Sequence, residues 1–414
     1  MRTFFENNKR NFILQEIINL KQYIKRRIKK YKIEQKYSLK SRVDFVTMVE
    51  VRERNDMDWE ALLYSRIETI KPVSLDVRRR AKAVWDAVFK PIDGLGRLEE
   101  ILCDIAAAQD TTKIELSKRA ILVLCSDNGI VEEGISQSSS SITHTVAENI
   151  VAGKASINQM AACCHTDVIP VDMGMAEPAG GCLDRRIAAG TKNFAKEPAM
   201  SRELAVRAML VGMELVHEQK ESGYHILGTG EMGIGNTTTT SALTSLLLRC
   251  HPQNVTGRGA GLSSEGLLNK CSVIERALIY HFGEKYICRD IDVLDMLACV
   301  GGFDLAGLAG VFLGGALYRV PVLVDGVISA CAAVIAARLC PCAVQYMVAS
   351  HLGKEPAHKL LLQELGLEPV IHGNLALGEG TGAVLLLPML DMALAVYKNK
   401  ETFEENNLEA YQRY

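Results

Sequence analysis

Short hydrophobic runs alternate with longer segments of helical spacing along the chain from about Lys118 onward. Each run is apolar at consecutive positions, which is typical of strands that are covered on both faces. The alternation of such strands with helices predicts an α/β fold with a doubly wound, mostly parallel, Rossmann-like sheet. The predicted strands are residues 120–125, 167–171, 224–228, 320–324 and 343–348, and the predicted helices are residues 201–221, 237–249 and 264–281.

The hydrophobic pattern also predicts a deeply buried helix over residues 293–317. This stretch is apolar enough to resemble a membrane span, and Gly310 and Gly314 form a GxxxG pair within it. Asp295 and Asp304 interrupt the stretch, however, and an aspartate is costly in the middle of a membrane. We therefore interpret it as a helix that packs tightly inside a protein core.

The chain divides into three regions by composition. Residues 1–47 form a basic extension with helical pattern and no signal-peptide features, which we expect to be weakly ordered; the alternative is a helix that touches a membrane or a partner. Residues 118–354 are predicted to form a large α/β nucleotide-binding domain. Residues 50–117 together with 355–414 are predicted to form a smaller helical domain that completes the site.

The composition excludes several classes of function. The 47 basic and 49 acidic residues give a net charge of -2, which provides no attraction to nucleic acid or to an anionic membrane surface. Aromatic residues make up 6% of the chain, which is too few for a base-stacking surface. The 12 cysteines include no CxxC pair, so we expect reduced thiols, a cytoplasmic protein and no metal site.

A glycine-rich acidic segment, GEMGIGNT, starts at Gly230 and reads as a loop that enters a helix. Ligands bind beyond the carboxyl ends of the strands in open α/β sheets, and the predicted strands end in such loops. Gly233 and Gly235 would let a ligand approach the backbone, and Asn236 or Thr237 could cap the helix beside an anion site. Without a ligand, the same residues would form an ordinary capped helix. Glu231 adds a carboxylate, which does not assist phosphate binding.

A second acidic segment, LGEGTGA, starts at Leu377 and places Glu379 between Gly378 and Gly380. The flanking glycines indicate close approach of a ligand. Apolar surroundings would raise the pKa of Glu379 toward neutrality, as a general base requires. The alternative is a glutamate that stabilises the dipole of the following helix.

Nine motifs in a fixed order make the chain similar to a known enzyme family. They are KPIDGLGRLEE, DNGIVEEGISQ, GTKNFAKEPAMSRELAV, GEMGIGNTTT, TGRGAGLSSEGLLNK, VGGFDLAGLAG, VPVLVDGVIS, ASHLGKEPAH and LGEGTGA, between about Lys90 and Lys398. Through these motifs the chain resembles the nicotinate-nucleotide–dimethylbenzimidazole phosphoribosyltransferases of cobamide (vitamin B12) synthesis. Residues 1–50 lie outside the resemblance.

The resemblance implies transfer of phosphoribosyl from nicotinate mononucleotide to 5,6-dimethylbenzimidazole, with release of nicotinate and inversion at the anomeric carbon. By this likeness Glu379 is the general base, Glu231 is a second acid near the ribose, and Lys270 binds the 5′-phosphate. The residues that it implies for substrate binding are Ser136, Gln137, Gly230, Met232, Gly233, Ile234, Gly235, Asn236, Thr237, Lys270, Gly326, Ser350, Leu377 and Gly378. It also implies a homodimer, no cofactor and no metal.

Two departures from the family pattern border the expected base pocket. Many relatives carry a YPQ-like segment where this chain has QSSSS at residues 137–141, and an arginine where this chain has Ala376. Adenine, another benzimidazole or a phenol therefore stays open as the acceptor. Hydrolysis with water as acceptor also stays open, as does a catalytically silent subunit of a heteromeric transferase. Retention of both Glu231 and Glu379 argues against a silent subunit.

Overall fold

The computed structural model of the protein describes residues 57–399 and 401–413. The predicted basic extension over residues 1–47 lies outside the described residues. The residues from Asp58 onward form one compact unit. The division of this part into a large α/β domain and a smaller helical domain stays a prediction.

Six parallel strands form the central sheet, in the order β3-β2-β1-β4-β5-β6. This order is that of a Rossmann-like sheet, so the predicted fold class is confirmed. Two further strands, β7 and β8, form a separate parallel pair. The strands are β1 Arg119–Ser126, β2 Asp167–Gly174, β3 Leu183–Asp184, β4 Ile226–Met232, β5 Val322–Val324, β6 Met347–Ala349, β7 His351–Gly353 and β8 Ile371–Leu375.

Strand β1 shows why the central strands are apolar at every position. Its side chains alternate between two hydrophobic cores, one on each face of the sheet. Ala120, Leu122 and Leu124 belong to the first core. Ile121 and Val123 belong to the second. Because both faces are covered by helices, both sets of side chains must be apolar.

Helices cover both faces of the sheet. The three helices predicted from spacing are confirmed as α6, α7 and α8, with bounds within two residues of those predicted. The helices are α1 Trp59–Ile67, α2 Leu75–Ala87, α3 Arg97–Gln109, α4 Ser141–Val151, α5 Ser156–Ala162, α6 Arg202–Glu221, α7 Asn236–Leu247, α8 Ser264–Phe282, α9 Val293–Val300, α10 Phe303–Tyr318, α11 Val327–Leu339, α12 Pro356–Leu365 and α13 Thr381–Tyr397. None of the described helices is long and apolar enough to cross a membrane.

The apolar stretch 293–317 is buried as predicted, but it forms two helices, α9 and α10, rather than one. The break lies at Gly301 and Gly302, which both adopt extended backbone. The glycines of α10 allow close packing on α6, since a Cβ at Gly310 would clash with the carbonyl oxygen of Met209. These glycines therefore serve contact between helices in a protein core.

The bounds of all five predicted strands shift in the structure, and two of the shifts matter for the site or the fold. Most of the run 343–348 belongs to the 3₁₀ turn Pro341–Tyr346, because proline fixes a backbone angle suited to a helical start, and only Met347–Ala349 forms β6. Strand β4 continues past Gly228 to Met232. The prediction that Gly230 and Glu231 lie in a loop is therefore wrong, since both belong to the strand.

Candidate active site

The carboxyl end of β4 carries the first acidic segment. Glu231 is buried near the end of this strand and pairs in register with Leu124 of β1. The sheet order reverses between β1 and β4, and α/β sheets bind ligands at this point. Glu231 therefore lies where the fold favours a site.

The turn between β4 and α7 differs from the sequence prediction. Gly235, at φ +93°, is the residue before α7, and no side chain caps the helix, so the prediction that Asn236 or Thr237 does so is wrong. The side-chain amide of Asn236 instead donates hydrogen bonds to Glu231 and, at 3.2 Å, to Asp304. The oxygen atoms of these two carboxyl groups accept the hydrogen bonds, so the amide is engaged there and not at the start of the helix.

The second acidic segment has three consecutive residues in the left-handed region. The φ angles of Gly378, Glu379 and Gly380 are +85°, +60° and +87°. Glycine adopts this conformation freely, whereas for glutamate it costs about 1 kcal/mol. The hydroxyl of Thr381 donates to the carbonyl of Gly378 at 2.8 Å and closes the turn. The glycines are therefore required by the backbone of the turn itself.

The two acidic segments pack directly against each other. A Cβ at Gly230 would lie 2.7 Å from the carbonyl oxygen of Glu379, and a Cβ at Gly378 would lie 2.8 Å from Oε1 of Glu231. Real Cβ atoms essentially never approach other atoms so closely. Glycine at both positions therefore brings the two glutamates into one site.

Both glutamates line a cleft of about 290 Å³. Its floor is formed by the ends of β4 and β5 and by the turns before α7 and α13. The polar and charged residues that line it are Glu231, Asn236, Thr237, Asp325, His351, Lys354, Glu355, His358, Glu379 and Thr381. A smaller pocket of about 70 Å³ shares six lining residues with the cleft: Gly233, Ile234, Asn236, Thr237, Gly259 and Ala260.

Lys270 lies in the smaller pocket and is almost fully buried. Its Nζ donates to the hydroxyl of Thr237 at 2.8 Å and to the carbonyl of Gly257 at 3.3 Å. Burial lowers the pKa of Lys270 to about 8, while the charge of Glu355 acts in the opposite direction. A buried ammonium group beside the start of a helix is suited to binding an anion.

The pKa of Glu231 is raised to about 8, chiefly by burial. The nearby charges of Asp304, Asp325 and Glu379 also raise this pKa, and the hydrogen bond from Asn236 lowers it. Glu231 is therefore mostly protonated at pH 7. Burial also raises the pKa of Asp304, to about 6. The amide of Asn236 thus joins two acids that both favour the neutral form more than an exposed carboxyl does.

The carboxylate of Glu379 accepts a hydrogen bond from the backbone N–H of Ile157 at 3.3 Å. Partial burial raises the pKa of Glu379, and the charge of Asp325 adds to the effect. Asp325 accepts hydrogen bonds from the N–H groups of Gly382 and Ala383, at 2.8 and 3.1 Å, and so holds the first turn of α13 behind Glu379. Glu379 thus has the raised pKa expected of a general base.

The sequence-predicted residues occupy three locations. The cleft brings together Glu231, Met232, Gly233, Ile234, Asn236, Thr237, Gly326, Leu377, Gly378 and Glu379. The smaller pocket holds Ser136, Gln137, Gly235 and Lys270. Gly230 and Ser350 line neither of the two. Gly230 lies beneath Glu379, and the buried hydroxyl of Ser350 donates to the carbonyl of Val324 at 2.7 Å.

Sequence reasoning did not assign several polar residues to this site, among them Asp325, His351, Asp304 and Lys354. Asp325 and His351 follow strands β5 and β6, so their position after an apolar run was an available signal. Asp304 interrupts an apolar stretch, but the sequence does not show that it meets Asn236, 68 residues away. Lys354 had no signal, because an exposed lysine after a glycine is ordinary.

A larger depression of about 490 Å³ lies near the C-terminal end of α7. Four of its five charged residues pair with each other, Arg249 with Asp290 at 2.7 Å and Arg338 with Glu364 at 2.5 Å, and the fifth, Asp292, pairs with Arg202 at 2.5 Å. The acidic cleft is the better candidate, because it contains titratable groups with shifted pKa values. Among the described residues, no group of three His, Cys, Asp or Glu side chains is arranged to hold a metal ion.

Comparison with known proteins gives consistent matches. The phosphoribosyltransferase family model matches residues 70–408. A nicotinate-nucleotide–dimethylbenzimidazole phosphoribosyltransferase of Acetivibrio thermocellus is 39% identical over 353 residues, which cover 85% of this chain and 99% of the relative. The corresponding enzyme of Geobacter metallireducens is 40% identical over 351 residues, which cover 84% of this chain and 98% of the relative.

A solved structure shares both fold and sequence with the chain. The crystal structure of CobT from Thermus thermophilus is 36% identical and superposes with a TM-score of 0.75, covering 81% of this chain and 100% of that one. Since the matches span most of the chain and nearly all of each relative, the chain belongs to the nicotinate-nucleotide–dimethylbenzimidazole phosphoribosyltransferase family.

Proposed function

We propose that this protein transfers the phosphoribosyl group of nicotinate mononucleotide to 5,6-dimethylbenzimidazole, in the biosynthesis of cobalamin. The products are the α-riboside 5′-phosphate of the base and nicotinate. The observation that carries the proposal is the meeting of Glu231 and Glu379 in one cleft, next to a pocket that contains the buried cation Lys270. Membership of the family supports the same reaction.

In this proposal the nucleotide spans both pockets. The 5′-phosphate lies in the smaller pocket, where Lys270 and the first turn of α7 supply positive charge. The ribose then lies near Asn236, which lines both pockets, and near Glu231, which lines the cleft. This arrangement points the anomeric carbon and the nicotinate ring toward Glu379.

Glu379 acts as the general base. One imidazole nitrogen of the base attacks the anomeric carbon, the bond to nicotinate breaks, and the other nitrogen loses its proton to the carboxylate of Glu379. The pyridinium nitrogen accepts the electron pair of the broken bond, so the departing ring needs no proton. A base in hydrogen-bond reach contributes about 10²- to 10⁴-fold, and alignment of the two substrates contributes further.

Glu231 has a different role from Glu379 because it is mostly neutral at pH 7. A protonated carboxyl next to the ribose can donate a hydrogen bond to a hydroxyl oxygen and adds no negative charge beside the base. Asn236 holds its carboxyl group in place. Glu231 and Glu379 thus perform separate tasks, because burial raises the pKa of Glu231 more than that of Glu379.

The purified protein tests this function directly. It is incubated with nicotinate mononucleotide, with and without dimethylbenzimidazole, and nicotinate is measured. Release that requires the base supports the transferase. Release without the base would indicate hydrolysis, and no release with any of dimethylbenzimidazole, adenine or phenol would contradict the proposal. Mass analysis of products from a mixture of the three acceptors identifies the preferred one.

We also propose a homodimer located in the cytoplasm. Exposed apolar side chains on α13, Leu385 and Met392, support contact with a second copy. Free thiols at all twelve cysteines suit a reducing compartment. Light scattering of the purified protein tests the assembly, and a monomer at working concentration would contradict it.

A further inference from the structure

The nucleotide carries two anionic groups, the 5′-phosphate and the nicotinate carboxylate, and the two pockets differ in the cations that they offer. The smaller pocket is lined by Lys270 and Arg258. Among the residues that line the acidic cleft, Lys354 is the only lysine or arginine. The phosphate therefore has two cations in reach, whereas the carboxylate has at most one.

The acidic cleft is otherwise unfavourable to a carboxylate. Glu231, Asp325, Glu355 and Glu379 line it, and each of these side chains repels a negative charge when it is ionised. The histidines do not offset this charge. Burial lowers the pKa of His358 to about 3, and burial also lowers the pKa of His351, so both rings are neutral at pH 7. A carboxylate in this cleft therefore needs the ammonium group of Lys354.

The backbone holds Lys354 next to the segment that carries the general base. Its N–H donates to the carbonyl of Leu375 at 2.9 Å, directly after the pairing of Gly353 with Leu375. Leu375 leads through Ala376 and Leu377 to Glu379, and all of them line the same cleft. Lys354 thus lines the cleft beside the segment that carries Glu379.

The side chain of Lys354 is exposed and has no partner among the described residues. It makes no ion pair within 4.0 Å and no hydrogen bond with them. By contrast, Lys270 is buried and bonded to Thr237 and Gly257. An ammonium group that lines an acidic cleft and makes no ion pair with the described residues is available to a ligand anion.

We infer that Lys354 binds the carboxylate of the nicotinate ring and selects nicotinate mononucleotide over its nicotinamide counterpart. The inference rests on the proposed function. It also has a consequence for the reaction, because the pyridinium ring loses its positive charge when the bond to ribose breaks. The departing nicotinate changes from net neutral to net negative, so a cation at its carboxylate attracts it more strongly as the reaction proceeds.

Binding of three probes without an acceptor base separates this role from phosphate binding. The dissociation constants of nicotinate mononucleotide, nicotinamide mononucleotide and ribose 5-phosphate are measured by calorimetry for the wild-type protein and for Lys354→Met. We expect about tenfold weaker binding of nicotinate mononucleotide, the usual size of a lost charged hydrogen bond, and changes below about twofold for the other two. Lys354→Arg should retain most of the selectivity.

Lys359→Met is the matched control, since this exposed lysine on α12 lines neither pocket. It should leave all three dissociation constants unchanged. Equal weakening of all three probes by Lys354→Met would overturn the inference in favour of a phosphate contact. No change for any probe would identify an ordinary surface lysine and overturn it as well. Absence of binding of nicotinate mononucleotide to the wild-type protein would contradict the proposed function itself.

Discussion

Two glutamates in one cleft differ in protonation because their surroundings differ. Glu231 is buried in a strand beside Asp304, whereas Glu379 lies in a turn at the edge of the cleft and is only half buried. The sequence predicted both residues as acids of one site, and it predicted a raised pKa for Glu379. It did not predict the larger shift at Glu231, which burial causes and which the charges of Asp304 and Asp325, distant along the chain, increase.

Glu379→Gln tests the general base. The amide has nearly the same shape but accepts no proton, so we expect kcat to fall at least about tenfold. The KM for nicotinate mononucleotide and the melting temperature should change little, because the carboxylate accepts a single hydrogen bond from the described residues, from the N–H of Ile157. Glu368→Gln, an exchange at an exposed site, is the control. Near-normal kcat in Glu379→Gln would contradict the assignment.

Glu231→Gln tests the raised pKa of Glu231 through protein stability. The folded protein keeps the proton of Glu231 up to about pH 8, whereas the unfolded chain releases it near the ordinary value of 4.5. Wild-type stability is therefore lost as the pH rises through this window, and the uncharged glutamine avoids this loss. Thermal melts from pH 5 to pH 9 should show a melting temperature for Glu231→Gln that increases relative to the wild type. A difference independent of pH would show that Glu231 is not protonated.

At the scale of helices and strands, the structure agrees with the predictions that rest on local sequence patterns. It differs from them where contacts between residues distant in the sequence determine the structure. The continuous apolar runs predicted the central strands, because each of their side chains faces a core. The pattern missed the extension of β4 through Gly230 and Glu231, since nothing nearby shows that Leu124 pairs with Glu231. It also missed the contact between β4 and the turn before α13, because these two segments lie about 150 residues apart in the sequence.

Gly230→Ala tests this contact between β4 and the turn that carries Glu379. The added methyl group would lie 2.7 Å from the carbonyl oxygen of Glu379, so the turn must shift. Such overpacking costs about 1–3 kcal/mol of stability, and a small displacement of the base should lower kcat at least about tenfold. Gly180→Ala is the control, because a Cβ there has open space. Unchanged kcat would mean that the turn adjusts without moving the carboxylate.

For the whole molecule, we expect the site to need only the part of the chain that the family shares. The family model begins at residue 70, and the compact unit begins at Asp58. We therefore expect a protein lacking residues 1–47 to keep kcat/KM within about twofold of the full chain. Its melting temperature should stay within about 2 °C, because changes outside the packed part of a protein usually alter stability little. Both proteins are assayed side by side. Loss of activity or of soluble protein would show that the basic extension contributes to function.

The left-handed backbone at Glu379 implies a conflict between the thermal stability of the protein and its activity. Asparagine tolerates this conformation better than glutamate, so Glu379→Asn should raise the melting temperature by a few degrees while it abolishes most of the activity. Thermal melts and kcat of the same preparation check both effects, and a lower melting temperature would contradict the argument. Selection for thermal stability alone would therefore favour asparagine in place of the proposed general base, whereas selection for the proposed reaction would favour glutamate.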